Sequence, residues 1–239
     1  MNKRRYLDFL AKMGINSAHP GGKPLTEALL LKEQLKADEK VLDVGCGAGE
    51  TSFYIANQYH CEVTGLDLHP EMIKQARVRA EASPVPFRII QGNVESMPLK
   101  DQSFDRLLAE SVTVFTQIPL TLKEYYRVLK KGGKVLAIEM TLEKPLTNEE
   151  VQEIQNLYGA TKLLTVDDWR AEFNKAGFSE VEVIRGEHII NGPQGISDVS
   201  TFNFSNHLDL EAFEVWWDHI QLMDKYRGIL GYRIYKAIK

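Results

Sequence analysis

Val41-Leu42-Asp43-Val44-Gly45-Cys46-Gly47-Ala48-Gly49-Glu50 is the stretch whose reading decides the fold. Its first four residues are an apolar strand run, three alternating glycines follow, and a helix-like segment begins at Glu50. A glycine-rich turn between a strand and a helix lets the backbone approach a ligand closely and presents helix N-terminal amides to it. Outward from this turn the pattern repeats: helix over 50–58, strand over 61–68, helix over 70–82, strands over 87–91 and 104–110, helix over 120–129 and strand over 134–140. Such alternation predicts five parallel strands by residue 140, in a doubly wound α/β sheet covered on both faces.

Upstream, Tyr6, Phe9, Leu10 and Met13 recur at helical spacing and predict an amphipathic helix over 4–13 ending at Gly14. His19-Pro20-Gly21-Gly22 then breaks the chain before a second helix near Pro24. Downstream the expectations are helices over 148–158 and 166–176, a strand over 181–184, a polar loop over 186–206, a helix over 209–227 and a strand over 232–238. The whole chain, 1–239, reads as one domain: N-terminal helices (1–38), a binding core (40–141) and cap elements on the acceptor side (142–165 and 186–228).

Composition narrows the function. With 44% hydrophobic and 26% charged residues the 239-residue chain is of ordinary globular type. A net charge of −4 gives no general field for phosphate backbones, so no nucleic-acid partner is expected, and Lys3-Arg4-Arg5 reads as a solvated helix start. Two cysteines, Cys46 and Cys61, form no C-x-x-C pair, and no metal is expected. No stretch approaches the ~20 apolar residues a membrane helix needs. A cytoplasmic protein with no membrane partner is the expectation.

The ligand of the loop is read from its acids. A dinucleotide fingerprint requires glycine at position 50, which is Glu50, and no Gly-Lys-Ser/Thr follows for a Walker loop. Asp43, just before the glycines, suits a cationic ligand such as an amino-acid ammonium better than a pyrophosphate, which favours S-adenosylmethionine (SAM) over NAD. Asp67 ends the second strand about 20 residues on, where a carboxylate accepts from ribose hydroxyls; dinucleotide sites share this feature, so alone it does not discriminate. Leu68 and Met72 offer apolar surface for adenine.

Together with Gly65-Leu-Asp-Leu-His-Pro-Glu-Met72, Phe104-Asp105 and Tyr126-Arg-Val-Leu-Lys-Lys-Gly-Gly133, these residues make the chain resemble the class I SAM-dependent methyltransferases, in particular the small-molecule group that includes the ubiquinone and menaquinone methyltransferases. The resemblance covers about residues 40–140. It implies a seven-stranded sheet of order 3-2-1-4-5-7-6 with strand 7 antiparallel, SAM as cofactor and S-adenosylhomocysteine as product. It also implies that Asp43, Gly45, Cys46, Gly47 and Gly49 form the cofactor loop, that Asp67 holds the ribose and Asn93-Val94 the adenine edge, and that Glu110 and Ser111 lie near the methionine end. Asn93 stands where the family often has aspartate; its amide oxygen still accepts from the adenine amino group.

Methyl transfer from a sulfonium is an in-line displacement, so alignment and water exclusion are the protein's main tasks. Glu110, at the carboxyl end of strand four, and His19 are the catalytic candidates if a base is needed; Tyr158 and Glu139 have ready structural explanations. His69 reads as the cap of the helix at Pro70, and Lys130-Lys131 as charges complementing a helix C-terminus. Phe202, Phe204, Phe213, Trp216 and Trp217 read as core or lid packing, or as an acceptor pocket. No Asn/Asp-Pro-Pro-Tyr motif follows strand four, where Glu110-Ser-Val-Thr113 stands, which argues against base or glutamine methylation. A small-molecule acceptor is expected, whose identity and site of methylation are not encoded in a legible motif. The competing readings are a SAM-fold enzyme of other chemistry and a non-catalytic SAM-binding protein.

Overall fold

The computed structural model describes residues 5–15, 18–186 and 209–239. Helices α1 (Arg5–Lys12) and α2 (Gly22–Glu33) precede the sheet. The core then alternates β1 (Lys40–Val44), α3 (Glu50–Tyr59), β2 (Glu62–Asp67), α4 (Pro70–Glu81), β3 (Arg88–Gln91), β4 (Phe104–Glu110), α5 (Ile118–Val128) and β5 (Leu129–Leu142). It closes with α6 (Asn148–Tyr158), α7 (Val166–Lys175), β6 (Ser179–Ile184), α8 (Leu210–Lys225) and β7 (Leu230–Ile238). The expected loop over 186–206, with Phe202 and Phe204, lies almost wholly outside the described residues.

The strand order is 3-2-1-4-5-7-6, with β1 to β5 parallel and β7 antiparallel to both β5 and β6. This is the expected sheet. Parallel strands buried on both faces must be apolar on both, and here the two-residue period sorts them. Leu107, Ala109, Val135 and Ala137 face α5 and α7, packing on Tyr125, Trp169 and Phe173. Val41, Leu108 and Leu136 face the opposite side with Leu30 of α2 and Ile55 of α3, and Ile138 there meets Leu25 and Leu29. The same period places Asp43 and Glu110 on the α2/α3 side and Glu139 on the α5 side. A third cluster joins Tyr6 and Phe9 of α1, Ile154 and Tyr158 of α6, and Val215 and Leu222 of α8 into a cap beside Phe115 and Met140.

Three local expectations are corrected. β5 begins at Leu129, so Lys130 and Lys131 belong to a strand, not to a helix end, and Lys130 pairs with Asp105 at 2.8 Å. His69 occupies the N-cap position of α4, but its side chain makes no capping bond and lies 3.6 Å from Asp8 of α1 instead. Arg5, read as part of a solvated helix start, pairs with Glu214 at 3.0 Å and so ties α1 to α8.

Candidate active site

The glycine loop crosses the carboxyl ends of the strands with Gly45, Gly47 and Gly49 all at positive φ (63°, 53° and 78°), a conformation that costs any residue with a Cβ. Their surroundings differ. A Cβ on Gly45 would meet Val112 Cγ2 at 2.3 Å and one on Gly49 would meet Ala76 Cβ at 3.2 Å, whereas at Gly47 the nearest atom is Met72 Sδ at 4.0 Å. Two glycines let protein pack against the loop; the middle one faces open space.

Three carboxylates cluster beside the loop, close enough for the charges of Glu110 and Asp67 to act on Asp43. Asp67 binds the loop itself, one oxygen accepting from Gly47 N–H at 2.9 Å and the other from His69 N–H at 2.7 Å. Each oxygen retains a lone pair for a further donor. Asp43 is 2% exposed and accepts from Ser52 Oγ at 2.6 Å. Burial pushes its carboxyl up to about 8, with the charges of Glu110 and Asp67 adding to the shift. Glu110 is gripped from two helices: Thr26 Oγ1 donates to Oε1 and Thr51 Oγ1 to Oε2, the latter at 2.8 Å. Among the described residues, neither Asp43, Asp67 nor Glu110 has a lysine or arginine within ion-pair distance. Three acids of one sign, largely removed from water, make a site suited to a cation.

His19, 91 positions from Glu110 in sequence, is brought to it: Nε2 lies 3.4 Å from Glu110 Oε1 and 3.1 Å from Thr26 Oγ1. Its Nδ1 lies 3.2 Å from the Pro20 carbonyl oxygen, so both ring nitrogens are engaged. Ser111 holds positive φ (54°) and donates its N–H to Ile138 O at 2.7 Å. Leu68 is exposed beside Asp67, Met72 and Val94 are buried, and Cys46, also buried, has its thiol pKa raised chiefly by burial, which leaves it an inert thiol. Asn93 Oδ1 accepts from Glu95 N–H at 2.9 Å and keeps a second lone pair, as the expected contact to an adenine amino group requires.

Sequence reasoning missed Thr26, Thr51, Ser52 and Val112. Two consecutive hydroxyl residues in the first turn after the glycine loop, Thr51-Ser52, were the available signal for buried acids opposite them. Thr26 and Val112 gave none, because only tertiary packing brings them to Glu110 and Gly45. Tyr158 and His219 are paired in the cap (Oη to Nδ1, 2.9 Å), with Tyr6 stacked on the imidazole, a structural tie between α1, α6 and α8.

Comparison with known proteins gives the family. A family model described as a methyltransferase domain matches residues 42–137. Over 235 residues the chain is 30% identical to an uncharacterized methyltransferase, YodH, of Bacillus subtilis, covering 98% of this chain and 99% of that one. The chain belongs to the class I SAM-dependent methyltransferase family. Among solved structures this methyltransferase resembles phosphoethanolamine N-methyltransferase 2 of Haemonchus contortus in complex with SAM, with TM-score 0.77 and 20% identity over all of this chain; it spans 60% of that protein. The [4+2]-cyclase SpnF is similar in fold too, with TM-score 0.74 and 17% identity over 98% of this chain and 92% of its own. The methyltransferase sheet is thus shared with proteins of other named chemistry, and these likenesses speak to fold.

Proposed function

We propose that this methyltransferase holds SAM over Gly47 and methylates a small, largely apolar molecule bound under the cap of α1, α6 and α8. The observation that carries the reading is the cluster of Asp43, Asp67 and Glu110 beside the glycine loop, with no lysine or arginine partner among the described residues. When bound, SAM supplies a methyl group activated by its sulfonium charge.

Asp67, already fixed by two backbone N–H groups, presents its remaining lone pairs to the ribose hydroxyls. Leu68 and Met72 flank the adenine, and the Asn93 amide with Val94 meets its edge, the second lone pair of Oδ1 accepting from the adenine amino group. Asp43, Glu110 and Ser111 take the methionine end, whose ammonium favours the ionised form of the buried Asp43. Gly45, Cys46 and Gly49 shape the loop, and the uncapped first turn of α3 offers amides to the carboxylate. Glu110 and His19 act by position: hydroxyls hold both Glu110 oxygens and both His19 nitrogens are engaged, so the pair locks α2 over the cofactor loop. Alignment and exclusion of water carry the rate.

The acceptor reading is supported by the apolar character of the cap, where Tyr6, Phe9 and Met13 are buried in one cluster and Phe115 and Met140 pack against it. Calorimetry with SAM, S-adenosylhomocysteine and NAD tests the cofactor; binding of NAD alone would overturn it. A labelled-methyl assay against metabolite extract divided into apolar and polar fractions tests the acceptor, and label confined to the polar fraction would reject an apolar one.

A further inference from the structure

Glu139 is a carboxylate toward the carboxyl end of β5 with no exposed surface, on the face of the sheet away from Asp43 and Glu110. An ionisable group there is costly unless fully hydrogen-bonded. Its partners all lie in the segment 112–114: Thr113 N–H donates to Oε1 at 2.9 Å and Val114 N–H to Oε2 at 3.3 Å, with the Thr113 side chain and the Val112 amide adding to them. The Thr113 and Val114 amides are the first of a single 3-10 turn, Thr113–Phe115, which no side chain of its own segment caps. Burial pushes the Glu139 carboxyl up to about 7 even against these bonds.

The turn fixes what precedes it. Val112 sits directly before Thr113, and its side chain fills the space a Cβ on Gly45 would take. Ser111, before Val112, is held at positive φ by its own bond to Ile138 O. The segment 111–114 therefore has two anchors on β5, one backbone and one carboxylate, and it bears on the cofactor loop through Val112 against Gly45.

We infer that Glu139 is a positioning residue for the cofactor: by gripping the Thr113 and Val114 amides from the α5 face of the sheet, it seats Val112 on Gly45 and sets the height of the glycine loop under SAM. The inference rests on the proposed SAM site. A purely structural carboxylate would contribute to stability and leave the affinity of folded protein unchanged. A positioning one is felt in SAM affinity, and through Val112.

The test is SAM titration by calorimetry on the full chain at a temperature where circular dichroism shows every variant folded. Glu139→Gln puts an NH2 against one amide N–H; it is expected to raise the SAM Kd about tenfold. Val112→Ala is expected to raise it several-fold, and the double variant to be no weaker than Glu139→Gln alone, because both act through one contact. Effects that multiply, or a Glu139→Gln variant with lowered Tm and unchanged Kd, would overturn the inference. If Glu139→Gln does not fold, Val112→Ala decides: an unchanged Kd overturns the proposal. Wild-type protein that binds no SAM sinks the cofactor reading and this one with it, whereas wild-type binding with unaltered variants sinks this one alone.

Discussion

Replacing Asp43 by asparagine should stabilise the free protein while weakening its hold on SAM. Asp43 is 2% exposed, its one side-chain donor is Ser52 Oγ at 2.6 Å, and burial pushes its carboxyl up to about 8. At pH 7 the unfolded chain carries this residue ionised and the folded chain carries it protonated. Stability linked to the group is full below its unfolded pKa, near 4, and is lost as pH rises toward 8. Roughly three pH units at about 1.4 kcal/mol each set the loss at pH 7 on the order of 4 kcal/mol, as a ceiling. Asparagine never pays this penalty, and its amide oxygen still accepts from Ser52. Urea unfolding from pH 4.5 to 8 should show D43N gaining on the wild type as pH rises, by about 1–4 kcal/mol at pH 7. A cationic ligand favours the ionised acid, so wild-type SAM affinity should strengthen from pH 6 to 8.5, and D43N should bind SAM about tenfold or more weakly, with less dependence on pH. A D43N protein less stable than wild type at pH 8, or one binding SAM undiminished, would refute the reasoning.

Three further outcomes are expected. Gly45→Ala should cost about 3 kcal/mol or more, from left-handed strain plus overlap with Val112, and Gly47→Ala only about 1 kcal/mol; Gly47→Ala should nevertheless lose the more SAM affinity, as chemical denaturation and calorimetry would show. Asp67→Ala removes the acceptor for Gly47 and His69 amides and for the ribose, so SAM binding should fall at least ~100-fold, and a change under threefold in calorimetry would remove Asp67 from the site. Burial lowers the His219 imidazole to about 4, so the unfolded chain binds the proton first and the cap loses stability as pH falls from about 6.5 to 4. Relative to His219→Gln, which keeps a partner for Tyr158, the wild type should lose up to roughly 3 kcal/mol more over that range; parallel unfolding curves would contradict it.

The fold was legible because its signals are local. Apolar runs such as Val41–Val44 and Phe104–Glu110, separated by helix-period segments, leave one economical solution, a parallel sheet between helical layers, while the strand order, with β7 antiparallel, was implied by the family resemblance. Boundaries slipped where tertiary pairing outweighs local pattern. β5 reaches back to Leu129 because Phe104 of β4 supplies Leu129 with a partner strand, and no reading of Lys130-Lys131-Gly132-Gly133 alone shows that.

At the site, the residue types were legible and the partnerships were not. By themselves Asp43, the three glycines and Asp67 determined a turn able to take a cationic, ribose-bearing ligand, since backbone freedom and carboxylate spacing are properties of the chain. Only the tertiary structure decided that Glu110 is spoken for by Thr26, Thr51 and His19, that Asp43 is buried deeply enough to hold its proton, and that Val112 rests where Gly45 has no side chain. The physical reason is that charge state and hydrogen-bond occupancy depend on burial and on neighbours from distant parts of the chain, neither of which exists until the sheet is assembled.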